Sequence, residues 1–155
     1  MSTPATKLLN QFGVPYIVHE YQHDQSATSY GLEAADKLGY PYEQVFKTLV
    51  VQIDEGFAVA IVPVNRQVNL KSVAKTVGSK KALLAKPEIA SRLTGYVVGG
   101  ISPVGQKKLL PTVIDEQAQL QDSILVSGGK RGFDIEINPV DLAQIVKAIF
   151  APIAD

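Results

Sequence analysis

Cysteine is absent from the 155-residue chain, and so is tryptophan; methionine occurs once and histidine twice. Without cysteine there is no disulfide, no thiolate metal site and no cysteine nucleophile, and nothing in the chain demands an oxidising compartment. No apolar run approaches the ~20 residues that a helix needs to cross a bilayer. The opening Met1-Ser2-Thr3-Pro4 lacks the charged-then-apolar build of a signal peptide. A cytoplasmic chain with no membrane contact is the expectation. Internal repeats, linkers and low-complexity stretches are missing too. With 46% apolar residues, one domain over residues 1–155 can bury a core without staples.

Net charge is also missing, because 15 Lys/Arg balance 15 Asp/Glu, yet the signs are segregated. Residues 1–65 carry three basic and seven acidic side chains, residues 66–108 nine and one, and residues 109–155 three and seven. The middle block comprises Arg66, Lys71, Lys75, Lys80, Lys81, Lys86, Arg92, Lys107 and Lys108, opposed by Glu88 alone. Such asymmetry points to a polyanion, nucleic acid above all. The plainer reading is that these lysines solvate helix faces that are neighbours only in sequence.

Along the chain, Ser2 or Thr3 caps a helix with Pro4 at its first position, an apolar stripe of Leu8, Leu9 and Phe12, and Gly13 at its end. A strand over Tyr16 to Tyr21 follows, then a polar loop and a helix from about Gly31 to Leu38. Val45 to Ile53 reads as the strongest strand, and the Asp54-Glu55-Gly56 turn returns it as Phe57 to Val62. Asn69 caps a helix that Gly78 closes, and a short strand at 81–84 precedes a helix opening at Pro87. Strands are expected at 112–114, 123–127 and 133–137. A closing helix then begins at Asn138-Pro139, with Leu142, Ile145, Val146 and Ile149 as its stripe. Hairpins and irregular connections argue for an α+β domain, with a mixed, largely antiparallel sheet, curled or barrel-like, flanked by helices.

The familiar catalytic signatures do not occur. His19 and His23 stand four apart, but that spacing aligns metal ligands on a helix and this segment reads as a strand entering a loop. There is no Gly-x-Ser-x-Gly elbow. Gly100-Ile-Ser-Pro-Val-Gly105-Gln-Lys107 resembles a phosphate loop, yet its lysine is one residue late and no Ser/Thr follows. No metal or cofactor is called for.

Three features remain. Lys47 stands in line with Val45, Leu49, Val51 and Ile53, so it either snorkels at a sheet edge or enters a pocket as a poorly solvated cation. The stretch Tyr96-Val-Val-Gly99-Gly100-Ile-Ser102-Pro103 is a shaped loop whose N–H groups could hold a polarised carbonyl, or simply a glycine bulge at a strand end. The loop Ser127-Gly128-Gly129-Lys130-Arg131-Gly132 leads to Asp134. Ser127 and Asp134 could line the same site, or Asp134 could pair with Lys130 or Arg131 across the turn.

Val45-Phe46-Lys47-Thr48-Leu49-Val50, Thr94 to Lys108 and Val126 to Gly132 together resemble the YbaK family of bacterial Cys-tRNA(Pro) deacylases, relatives of the editing domain inserted in prolyl-tRNA synthetase. The resemblance covers nearly the whole chain. It implies a metal-free, cofactor-free hydrolase acting in trans on mischarged tRNA, with prolyl-tRNA synthetase and the tRNA acceptor stem and 3′ end as partners. It places Lys47 as the essential lysine and Gly99, Gly100, Ser102 and Pro103 in the loop around the aminoacyl carbonyl. Tyr21, Tyr30, Ser127 and Asp134 fall at pocket positions, Tyr30 where relatives carry Phe; Leu32 replaces an acidic residue. Lys80, Lys81, Lys107, Lys108, Lys130 and Arg131 are the expected tRNA contacts. A non-catalytic tRNA-binding module and a synthetase-docking domain remain as alternatives, since neither would need Lys47 or Gly99.

Overall fold

The computed structural model describes residues 2–155. Helix α1 (Pro4–Phe12) starts where Thr3 accepts the Thr6 N–H and ends at Gly13 in the left-handed conformation. Its beginning is also anchored from a distance, because the Thr3 hydroxyl donates to the Gly128 carbonyl at 2.6 Å. Strand β1 (Tyr16–Glu20) pairs antiparallel with β7 (Phe133–Ile137), which in turn pairs antiparallel with β6 (Ile124–Lys130). These form a three-stranded sheet in the order β1-β7-β6.

The second sheet is built on the hairpin read from the sequence. β2 (Phe46–Ile53) pairs with β3 (Gly56–Pro63), and β4 (Ala82–Leu84) joins the other edge of β2. β5 (Thr112–Asp115) and β8 (Ile149–Ala151) extend it in parallel beyond β3, in the order β4-β2-β3-β5-β8. The sheet is therefore mixed, as expected of the α+β domain, and it stays open. Two open sheets meet through a single parallel bridge between Val45 and Leu125.

Alternation along β2 sends its apolar side chains to two cores. Phe46 and Val50 join Leu9, Ile61, Ile114, Val126, Ile135 and Leu142 in the main core between the sheets. Val51 packs with Ala58, Ala60, Val62 and Val73 under α3 (Leu70–Val77). A third cluster places Ala34 and Ala35 of α2 (Tyr30–Leu38) on Val45 and Leu125, next to the bridge. Helices α4 (Pro87–Thr94) and α5 (Pro139–Val146) complete the fold.

Two expectations fail for local reasons. Ile149 does not continue the stripe of α5, because Lys147 adopts φ 56°, the one left-handed non-glycine residue among those described, and the chain turns into β8. Nor does β6 break at Ser127; it runs on to Lys130 through a register shift between Ser127 and Lys130. Gly128 permits that, since a Cβ there would lie 2.4 Å from the Phe133 ring.

Both glycine-rich loops rest on the start of α1. Gly105 has φ +75°, and a Cβ on it would stand 2.7 Å from the Pro4 carbonyl carbon, a backbone atom that cannot swing away. Gly105→Ala is accordingly expected to cost about 1–3 kcal/mol. Urea unfolding at neutral pH measures this; a midpoint equal to that of the parent chain would contradict the packing described.

Candidate active site

A cavity of about 380 Å³ opens where the two sheets diverge, lined by β2 from Phe46 to Val50, the chain around Tyr21 and Tyr30, the segment 84–90, the 98–101 loop, Ser127 and Asp134. Lys47 reaches it from β2 and Asp134 from the middle strand of the other sheet. Neither charge is compensated. Lys47 makes no ion pair among the described residues, and burial alone lowers its ammonium below the ordinary lysine range. Asp134 is 6% exposed, and burial alone pushes its carboxyl up to about 7. The anticipated pairing of Asp134 with Lys130 or Arg131 is absent, because those side chains lie over the rings of Phe133 and Tyr30 at 5.3 and 4.9 Å. Tyr21 feels the consequence, its phenol raised to about 12 by burial and then by the Asp134 charge.

The 96–103 loop is a turn of defined type. Gly100 N–H donates to the Val97 carbonyl at 2.9 Å, and Gly99 between them has φ +88°, as the third residue of a type II turn requires. Gly99 lines the cavity and its own N–H has no hydrogen-bond partner among the described residues. Gly100, Ser102 and Pro103 are buried outside the lining. Ser102 is spent on the loop itself: its hydroxyl accepts the Val104 N–H at 3.2 Å and its carbonyl accepts from Gln106 at 2.9 Å. Gly100 is pressed onto the other glycine loop, where a Cβ would come 2.6 Å from Lys130 Cα.

The rim near Tyr30 is held by buried Glu33, which takes His23 at 2.7 Å, the Asp24 N–H at 2.6 Å and Lys37 at 3.1 Å. His19 is engaged elsewhere, with Glu136 at 2.8 Å. The two histidines thus serve separate carboxylates.

The expected tRNA contacts do not share one location. Lys80 and Lys81 immediately precede β4, their N–H groups donating to Asp54, whereas Lys107 folds its stem over Gly95 at the end of α4. Both regions, and Lys108, are exposed.

Thr48 is among the lining residues that the sequence reading did not single out. Its hydroxyl is buried with no hydrogen-bond partner among the described residues, in a side chain that lines the cavity. Its signal was a hydroxyl in the otherwise apolar row Phe46, Val50 on β2. An orphaned buried hydroxyl is costly without a ligand to satisfy it.

A model of the aminoacyl-tRNA editing domain matches residues 24–145. The chain belongs to the aminoacyl-tRNA editing domain family. It is 38% identical over 97% of its length to EbsC of Enterococcus faecalis, described as a candidate Cys-tRNA(Pro)/Cys-tRNA(Cys) deacylase, and covers 92% of that protein. Over 65% of the chain it is 29% identical to a proline--tRNA ligase of Shouchella clausii, where the match spans 18% of the ligase. A crystal structure described as a candidate trans-editing enzyme for prolyl-tRNA synthetase superposes with a TM-score of 0.86 at 26% identity, covering 100% of this chain and 99% of that one. An editing domain acts on aminoacyl esters of tRNA, so this is a hydrolase fold, and the cavity is its candidate active site. No helix among the described residues is long and apolar enough to cross a membrane.

The Asp134 environment has a pH signature. A carboxyl raised from 3.8 to about 7 on folding leaves the folded state holding the extra proton, so its stabilising contribution is complete below about pH 4 and is lost as pH rises through 7. Asp134→Asn should therefore gain stability over the parent above pH 7, with the advantage shrinking toward pH 4. Thermal melts of both proteins across that range test it; a pH-independent difference would contradict the buried, unpaired carboxyl.

Proposed function

We propose that this editing domain deacylates mischarged Cys-tRNA(Pro) in trans, and that the thiol of the substrate is the nucleophile. The observation that carries the reading is one cavity holding both a cation at Lys47 and a buried carboxyl at Asp134, neither with an ion-pair partner among the described residues. The end of an aminoacyl-tRNA is the complementary ligand. Its α-ammonium suits Asp134, its 3′-terminal phosphate suits Lys47, and the Thr48 hydroxyl and Gly99 N–H are left for the polar atoms between them.

The EbsC match over nearly the whole of both chains supports action as a separate protein, and the ligase match supports prolyl-tRNA synthetase as the neighbouring activity. The exposed Lys80 and Lys81 beside β4, and Lys107 and Lys108 beyond α4, are two separate basic regions available to the tRNA acceptor stem. Ser102 and Pro103 act by shaping the carbonyl loop, while Tyr21, Tyr30 and Ser127 define the space around the amino acid. One domain over 1–155, in the cytoplasm with the translation machinery, is the setting this implies.

No protein nucleophile is needed. The cysteinyl sulfur attacks its own ester carbonyl, a carbon–sulfur bond forms, and the bond to the 3′ oxygen breaks. The thiol proton ends on that oxygen, and water then opens the four-membered thiolactone to free cysteine. The intramolecular step needs orientation above all, which the cavity supplies by excluded volume, and the Gly99 N–H stabilises the developing oxyanion. A thiol of pKa ~8.5 provides some thiolate at neutral pH, whereas a hydroxyl provides essentially none.

Lys47→Ala should lower turnover by roughly 100-fold or more while leaving the fold intact. Cysteinyl esters should be cleaved far faster than seryl esters on the same tRNA, and alkylating the substrate thiol should stop the reaction. Release of free amino acid in single-turnover assays measures both. Parent-level turnover by the Lys47 variant would remove the ligand arrangement, and equal cysteinyl and seryl rates would replace the thiol by an activated water.

A further inference from the structure

The Val97–Gly100 turn contains one peptide unit whose polar ends go to different places. Its carbonyl, on Val98, accepts a hydrogen bond from Arg131 Nε–H at 2.9 Å. Its N–H, on Gly99, finds no partner among the described residues, and Gly99 lines the cavity. In a planar trans peptide the C=O and N–H point in opposite directions, so fixing one fixes the other. A type II turn converts to type I by rotation of just this central peptide, which would reverse its N–H. The Arg131 bond opposes that rotation.

The latch is itself confined. The Arg131 guanidinium lies 4.9 Å from the centre of the Tyr30 ring, on the face of a planar group that a planar cation matches. No slack remains at the turn: a Cβ on Gly99 would stand 2.8 Å from Tyr30 Cδ1 and 2.9 Å from Arg131 Nε. From the other side, a Cβ on Gly100 would meet the Arg131 backbone nitrogen at 3.0 Å. Three contacts thus tie one exposed arginine to the turn.

We infer that Arg131 is a positioning residue that holds the Val98–Gly99 peptide with its N–H turned toward the cavity, where the aminoacyl carbonyl is held. This rests on the deacylase reading and reassigns an arginine whose charge alone suggests a phosphate contact. Arg131 touches neither ester nor phosphate in this role. It acts through the backbone, and charge is not the property that matters.

Arg131→Ala and Arg131→Lys separate the two roles, and because the side chain is exposed both variants should fold, which thermal melts verify. Each is assayed on Cys-tRNA(Pro) in single turnover, with protein concentration and salt varied. Both should lower the saturated rate by about 10- to 100-fold, as small misplacements of catalytic groups do, with the half-saturating concentration and its salt slope close to the parent values. Lysine keeps the charge but cannot lie flat on Tyr30 while donating to Val98. A phosphate contact behaves in the opposite way: Arg131→Ala flattens the salt slope by about 0.7–0.9, leaves the saturated rate alone, and Arg131→Lys restores the slope. That result, or parent-level rates in both variants, would overturn the inference while the deacylase reading stands. An ester left intact by the parent protein would instead overturn the deacylase reading, and this inference with it.

Discussion

The interaction on which the site depends is one the protein does not make. Lys47 and Asp134 enter the same cavity from different sheets, and neither has an ion-pair partner among the described residues to offset its desolvation. An unpaired charge taken out of water is among the costlier features a fold can carry, and replacing it by an apolar residue is often stabilising. Retaining both is intelligible when a ligand with complementary charges completes them. The Thr48 hydroxyl, buried with no hydrogen-bond partner among the described residues, is a further polar cost carried beside the cavity.

Close backbone approach is what holds that cavity open in one shape. Gly100 rests against the backbone of Lys130, Gly128 against the ring of Phe133, and Gly105 against the carbonyl of Pro4. The two glycine loops, far apart in sequence, thereby become one unit packed on the start of α1, which Thr3 ties to Gly128. Rigid support of this kind suits a reaction that asks for orientation more than for acid–base power. Gly100, Ser102 and Pro103, which do not line the cavity, belong to this support.

Much of this was legible from residues alone, where local chemistry fixes local structure. Thr3-Pro4 with Gly13 and Asn69 with Gly78 bound their helices as read, and Pro87 opens its own, because caps and stops act within one turn. Lys47 announced itself by standing in an aliphatic row. What sequence did not disclose required long-range pairing. β8 forms because Lys147 takes a left-handed conformation without the glycine that usually marks it, and because β5 offers a parallel edge. Alternation showed the strands of the α+β fold but not their division into two open sheets. Arg131 looked like a surface charge; only the fold brings it to Tyr30 and Val98.

The central claim is that this cavity, unaided, breaks the cysteinyl ester of tRNA(Pro). Purified protein incubated with Cys-tRNA(Pro), without synthetase or added metal, with free cysteine followed over time, tests it most directly. The account predicts release well above the spontaneous rate. Survival of the ester at the spontaneous rate, with the tRNA shown to be bound, would contradict it and leave a binding module in its place.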